Sequence, residues 1–289
     1  MTDQPERIVL LLRCPDRPGI VAAVAEFLQR RGANIVHADQ HTDRERGLFL
    51  QRVEVEFEEG APDGYELSDA LRPLAERFAM TWSIHLARRR PRVALLVSKD
   101  GHCLSDLLAR VEQGELAAEV ALVASNHDVL RPQAERVGVP FHHLPIDPDA
   151  GGRPDQERAI DELLAANDID LVVLARYMQI LSDEFCRRWA GRVINIHHSF
   201  LPAFKGARPY HRAHDRGVKI IGATAHYATA DLDEGPIIVQ DVTPVSHRDE
   251  VADLIRKGRD LERTVLADAV RLHLEHRVLA YENRTVVFD

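Results

Sequence analysis

Apolar positions recur along this chain in two rhythms, and the way the rhythms alternate changes near residue 90. Ile8 to Leu12 is a short apolar run of strand type, and Asp16-Arg17-Pro18-Gly19 is a turn whose proline suits a first helical turn. Ile20, Val21, Val24, Phe27 and Leu28 then form a helical stripe within Ile20 to Arg31, which Gly32 is placed to stop. Asn34 to Asp39 and Leu48 to Phe57 predict two strands, the second alternating Val53, Val55 and Phe57 against Arg52, Glu54 and Glu56. Leu67, Ala70, Leu71, Leu74, Ala75 and Phe78 make a second helical stripe, and Met80 to Leu86 closes with a strand. The order βαββαβ predicts the ferredoxin-like split arrangement, with both helices on one face of an antiparallel sheet.

Beyond Arg88-Arg89-Arg90-Pro91 the pattern becomes strict alternation. Val93–Val97, Ala121–Ala124, Leu171–Leu174 and Val193–Ile196 are uniformly apolar runs, as expected of strands buried on both faces. Helical stretches separate them, near Leu104–Val111, Leu130–Val137, Asp155–Ala166 and Ser182–Trp189. This predicts a doubly wound, mostly parallel, Rossmann-like α/β sheet, whose ligands belong at the carboxyl ends of its strands. The tail from Asp249 to His276 reads as helical, with Gly258 a candidate break, and Arg284 to Phe288 as a last strand. Four charged or imino residues in a row cannot be core. Residues 88–91 are therefore expected to link a domain at 1–87 to one at 92–289, the alternative being a charged loop inside one domain.

Charge and composition narrow the function classes. The 289 residues hold 37 basic and 46 acidic side chains, a net −9, with 45% hydrophobic residues, an ordinary globular balance. The net charge is −2 over residues 1–90 and −7 over the rest, so neither domain has the basic footprint of a nucleic-acid binder. No apolar run reaches the length of a membrane span, and Asp3 and Glu6 precede the first short one, unlike a secretory signal. Cys14, Cys103 and Cys186 lie too far apart for a CxxC metal site and cannot all pair, which fits a reducing cytoplasmic setting.

No GxGxxG, GxxxxGK[ST] or GxSxG pattern is present, but five of the 15 histidines fall between positions 197 and 226. Three explanations compete: ordinary surface and core histidines, a metal site using His211 and His214, or acid–base catalysis at a strand end. His211 and His214 are expected on a loop, with no carboxylate or cysteine at zinc-like spacing, so no metal is expected. Asn195 and His197 are two apart, so on one strand they point to the same side. Such an amide can hold a carbonyl oxygen as charge develops on it, while the imidazole moves a proton. A carboxylate must then orient the histidine; Asp233, in an acidic turn before Gly235-Pro236, is the candidate, with Asp231 and Glu234 left open by spacing alone.

The segment Asn195-Ile196-His197-His198-Ser199-Phe200-Leu201-Pro202, with His226 and Leu232-Asp233-Glu234-Gly235-Pro236, resembles the signature of the folate-dependent formyltransferase and deformylase superfamily. The strings Gly206-Ala207-Arg208-Pro209-Tyr210-His211 and Ile221-Gly222-Ala223-Thr224-Ala225-His226-Tyr227 are more similar to the formyltetrahydrofolate deformylases than to the transferases. Asp16-Arg17-Pro18-Gly19-Ile20 and Gly32-Ala33-Asn34-Ile35 resemble an ACT domain, and an ACT domain ahead of a formyl-handling domain is the deformylase arrangement.

That resemblance implies hydrolysis of 10-formyltetrahydrofolate to formate and tetrahydrofolate, in purine biosynthesis and one-carbon balance, with the folate as substrate and no separate cofactor. Asn195, His197 and Asp233 match the family's catalytic trio, and Arg176, Tyr177, Met178, Gln179, Ile180 and Leu181 match its folate-lining segment. Periodicity alone favours plain core packing for Met178, Ile180 and Leu181. His198, Lys205 and His226 are further substrate-binding candidates, each equally able to shape the loop, as is His211. Gly19 and Asn34 are candidate contacts for an amino-acid effector between copies of the ACT domain, the alternative being a ligand-free dimerisation module; a homo-oligomer is implied either way. Ser98-Lys99-Asp100-Gly101-His102-Cys103 stands where a glycinamide ribonucleotide formyltransferase carries its phosphate loop, and Asp100 there would repel a phosphate, so water is the expected acceptor. A formyltransferase with a small amine acceptor and a non-catalytic folate-binding regulator are the alternatives.

Overall fold

A computed structural model describes residues 6–57, 62–86, 89–203 and 209–289. Two compact units divide the chain: residues 1–90 with Glu275–Leu279 and Val286–Asp289, and Pro91–Leu274 with Ala280–Thr285.

In the first unit, β1 (Glu6–Pro15), α1 (Ile20–Gln29), β2 (Ala33–Asp43), β3 (Leu48–Phe57), α2 (Gly64–Phe78) and β4 (Thr81–Leu86) follow the βαββαβ order. The sheet order is β2-β3-β1-β4, and β3 is antiparallel to both β1 and β2. Ile20, Val24, Phe27 and Leu28 of α1 and Leu67, Leu71, Ala75 and Phe78 of α2 pack on Ile8, Leu10 and Leu12 in one core. Each such aliphatic side chain contributes about 1.5–3 kcal/mol when fully buried, so the two stripes are sufficient reason for both helices to lie on one face. Asp63 caps α2 by accepting from Glu66 N at 2.7 Å. Sequence patterning places the whole tail after Pro91 in the second domain, whereas residues 275–279 and 286–289 group with the first unit. The Arg52 guanidinium explains this, donating to the carbonyls of Glu275 and His276, while the His276 ring stacks on His85.

The second unit opens with β5 (Arg92–Val97), α3 (His102–Glu112), β6 (Glu119–Ser125), α4 (Arg131–Glu135), β7 (Phe141–His143), α5 (Gly152–Ala166), β8 (Leu171–Leu174), α6 (Asp183–Arg188) and β9 (Val193–His197). It continues through α7 (Pro209–Arg216), β10 (Ile220–Tyr227), β11 (Ile237–Pro244) and α8 (Val251–Leu274), after which the chain ends in the hairpin of β12 (Val278–Tyr281) and β13 (Arg284–Val287), whose residues are divided between the units. The seven-stranded sheet has the order β11-β10-β9-β8-β5-β6-β7. It is parallel from β9 to β7, and β10 and β11 add an antiparallel edge. The chain runs outward through β6 and β7, then returns to lay β8 on the other side of β5. That switch opens a crevice at the carboxyl ends of β5, β8 and β9.

Three local expectations are corrected. β10 and β11 are strands that apolar periodicity had not separated from the surrounding loops. α8 runs unbroken past Gly258, because a Cβ there would lie 2.0 Å from the Tyr210 hydroxyl; the glycine permits close packing rather than ending the helix. His211 and His214 sit on α7 rather than a loop, and both are exposed.

Candidate active site

A cavity of about 550 Å³ lies in the second unit, lined by residues that follow β5, β8 and β9 and by parts of α7, α8 and the β10–β11 loop. Asn195 and His197 both reach it from β9, two positions apart. β10 runs antiparallel alongside, with His226 opposite Asn195 and Thr224 opposite His197. A register shift between Ala225 and His226 in the β10–β11 pairing falls beside the site, where such bulges commonly re-aim a side chain.

These histidines have defined tautomers. His226 Nδ1 is 3.0 Å from the Tyr227 carbonyl oxygen, which can only accept, so Nδ1 carries the proton. Its Nε2 is then an acceptor, 3.2 Å from Nδ2 of Asn195, and this fixes the Asn195 carboxamide while leaving its second N–H free to face the cavity. Burial lowers the His226 pKa, against the hydrogen bond to Tyr227 and the charge of Asp233, and keeps the ring neutral. His197 Nδ1 lies 3.2 Å from Oδ1 of Asp233. Burial raises the Asp233 carboxyl, but the hydrogen bond and charge of His197, with smaller contributions from His226 and His198, hold it below its ordinary value. The ionised carboxylate therefore takes the His197 Nδ1–H. His197 Nε2 is buried and meets no hydrogen-bond partner among the described residues.

Asp233 is delivered by a tight turn. Its φ is 57°, and Glu234 N donates to the Asp231 carbonyl at 3.2 Å. A Cβ at Gly235 would lie 1.8 Å from the Tyr227 carbonyl oxygen, so only glycine lets the turn fold back on β10. Asp231 and Glu234, the alternatives by spacing, are exposed and do not line the cavity.

The opposite wall is charged and buried. Glu262 of α8, 1% exposed, accepts from the Tyr210 hydroxyl at 2.6 Å, lies 2.8 Å from His102 Nε2 and 3.4 Å from Arg176 Nε. Burial raises its carboxyl, and these partners more than offset that and leave it ionised. Arg176 follows β8 at φ 66°, with Nη2 3.2 Å from Asp100 and Nη1 2.7 Å from His198 Nδ1. Asp100 also pairs with Arg259 at 3.3 Å. His102, Cys103 and Glu262 place ligand-type atoms within 4.8 Å of one another. Glu262 is already engaged, however, and burial first, then the Glu262 charge, pushes the Cys103 thiol far above its ordinary range, which opposes the thiolate a metal needs.

The apolar lining comes from the segment after β8. Met178 and Ile180 are 56% and 57% exposed, so they line the cavity and core packing does not describe them. Leu181 is half-buried against the core, and Tyr177 is buried with its hydroxyl donating to Gln156 at 3.2 Å. Gln179 lines the same wall, and Ser98 steadies the segment by accepting from Met178 N at 3.1 Å. Arg176 turns away from this apolar wall into the charged cluster, and His226 braces Asn195. Lys205 lies outside the described residues. Gly19 and Asn34 are exposed in the first unit, Gly19 before α1 and Asn34 on β2.

Sequence patterning does not single out Glu262, Tyr210 or Thr224 as site residues. Thr224 is fully buried; its hydroxyl donates to the Ser199 carbonyl at 2.9 Å and accepts from Leu201 N at 3.0 Å, pinning the chain just past β9. A carboxylate at position 262, inside the helical stripe of Leu254, Gly258, Leu261, Val265 and Leu266, was the available signal.

The Formyl transferase family model matches residues 91–270, and the ACT domain model residues 8–77. A formyltetrahydrofolate deformylase of Synechocystis sp. is 59% identical over 279 residues, 96% of this chain and 97% of that protein. One from Bacillus subtilis is 50% identical over 281 residues, 97% of this chain and 93% of that protein. The crystal structure of a formyltetrahydrofolate deformylase from Pseudomonas syringae pv. tomato superposes with a TM-score of 0.95 at 46% identity, covering 100% of this chain and 96% of the other.

Proposed function

The chain belongs to the formyltetrahydrofolate deformylase family, and from that premise we propose that it hydrolyses the N-formyl group of 10-formyltetrahydrofolate to formate and tetrahydrofolate. One observation carries this reading: a histidine tied to a carboxylate through Nδ1, with a bare Nε2 in a cavity beside an oriented carboxamide. His197 Nε2 accepts a proton from water, whose oxygen attacks the formyl carbon. The free N–H of Asn195 donates to the formyl oxygen as it becomes an oxyanion. Asp233 holds the tautomer and stabilises the imidazolium. That proton then passes to the departing nitrogen as the C–N bond breaks. Met178, Ile180 and Leu181 offer apolar surface to the flat ring system of the folate.

The folate is substrate, and none of these steps calls on a cofactor. We further propose a cytoplasmic homo-oligomer in which the ACT domain binds an amino-acid effector near Gly19 and Asn34, supplying formate for purine synthesis and balancing one-carbon pools. Among the described residues no helix is long and apolar enough to cross a membrane.

Incubation with 10-formyltetrahydrofolate and no added amine tests the activity. Formate release is expected, and Asn195→Ala should lower it about 10²–10³-fold in a folded protein. A formylated product formed only with an amine present would replace the hydrolase by a transferase, and neither product would leave a regulator. Retention of activity by the folded variant would remove Asn195 from the mechanism.

A further inference from the structure

The charged wall has a consequence for the reaction. Arg176 Nη1 lies 2.7 Å from Nδ1 of His198, and a guanidinium has donors only, so His198 Nδ1 is bare and its proton sits on Nε2. The arginine is fixed in turn, with Nη2 3.2 Å from Asp100 and Nε 3.4 Å from the buried Glu262. The His198 ring stacks on that of His197, with centroids 5.0 Å apart and planes inclined by 21°. Both side chains line the cavity, and His198 Nε2 meets no protein partner among the described residues. Two stacked imidazoles therefore differ in sense: His197 offers an acceptor and His198 a donor. Burial, with the neighbouring Arg176 and His197 charges, lowers the His198 pKa to about 4, so the ring stays neutral at working pH.

Hydrolysis needs a position that transfer to an amine does not. Water brings a second oxygen to the carbon, and the product carries two oxygens where Asn195 serves only one. We propose that His198 Nε2–H donates to this second oxygen, first in the attacking water and then in the tetrahedral intermediate and formate, with Arg176 as the positioning residue that fixes the tautomer. This rests on the hydrolytic reading of the site. One water is consumed: its oxygen bonds to the formyl carbon, one proton goes by way of His197 to the folate nitrogen, and the C–N pair leaves with that nitrogen.

Steady-state formate release by the full chain tests the assignment, comparing His198→Asn, His198→Gln and the unaltered protein. Glutamine places an amide N–H close to the position of the ring Nε2, whereas asparagine cannot reach it. His198→Asn should lower kcat about 10²-fold, the usual effect of losing one oxyanion-type donor, with KM for the folate within about threefold. His198→Gln should recover all but about tenfold of the loss. Equal kcat in all three proteins, or loss expressed only in KM, would overturn the proposal. So would ¹⁵N spectra of the unaltered protein placing the His198 proton on Nδ1, a measurement that decides the matter even where a variant fails to fold. Absence of formate release by the unaltered protein would instead overturn the hydrolytic reading itself.

Discussion

Two carboxylates border the cavity, and their surroundings give them different work. Asp233 stands on a turn, its side chain 13% exposed, and among the described residues holds a single close partner, His197 Nδ1, with His226 Nε2 at 3.8 Å. Glu262 stands on a long helix, wholly enclosed by His102, Tyr210 and Arg176. A carboxylate with one engaged edge can stabilise its neighbour as that neighbour becomes charged, whereas one with both oxygens hydrogen-bonded and a guanidinium close by is held in place. The difference teaches that burial and an ionised state do not by themselves mark a catalytic group; a partner with an unused acceptor, able to take up a proton, does. His197 offers a bare Nε2 acceptor among the described residues, whereas the unpartnered Nε of Arg176 beside Glu262 can only donate.

Removing each carboxylate in turn should separate them. Asp233→Asn is expected to cost turnover about 10³-fold, within the range for positioned acid–base groups, with little change in the unfolding midpoint. Glu262→Ala is expected to cost about 3–5 kcal/mol in denaturant unfolding, because it strands Arg176 without its buried counter-charge. If Asp233→Asn unfolds and Glu262→Ala is as stable as the unaltered protein, the contrast between them is wrong.

A smaller effect probes the wall between them. Ile180→Ala and Met178→Ala remove exposed apolar surface, so KM should rise about tenfold, in line with roughly 1.5 kcal/mol of lost burial on binding, while the thermal midpoint stays put. A fall in thermal midpoint without a change in KM would return these residues to core packing.

The smallest expected effect is in acid. His85 and His198 are lowered to about 4 by burial, with Arg176 adding to His198, and His226 is lowered by burial in the same direction. The unfolded chain takes these protons near pH 6.5, the folded chain only far below, so their contribution is complete above about 6.5 and is lost as pH falls toward 4. The depressed carboxyls of Asp233 and Glu262 extend the loss to still lower pH. Thermal midpoints should fall by a few degrees between pH 7 and 5, and less in His198→Gln. An equal slope in that variant would show that His198 takes its proton in the folded protein.

Much of the fold was legible because it depends on local periodicity. The stripes of α1 and α2 and the apolar runs of β5, β6, β8 and β9 are one-dimensional signals, each long enough to outweigh intrinsic propensity. β10 escaped because Gly222, Ala223, Thr224 and Ala225 carry little apolar bulk, and its strand state comes from pairing with β9 and β11. Gly258 was misleading because a glycine that admits a neighbouring ring and one that ends a helix look alike until the ring is in place.

Sequence by itself determined which residues share an element: Asn195 with His197 on a strand end, Met178 with Ile180 in the segment after β8, and an acidic turn before Gly235. Only tertiary structure chose Asp233 over Asp231 and Glu234, turned Arg176 from the folate wall onto His198 and Glu262, and set the tautomers of three histidines. The physical reason is range. Periodicity is a property of neighbours along the chain, while a proton's position is decided by whichever donor or acceptor the fold brings within about 3 Å, and here such partners come from as far as 160 positions away, as His102 and Glu262 do at 2.8 Å.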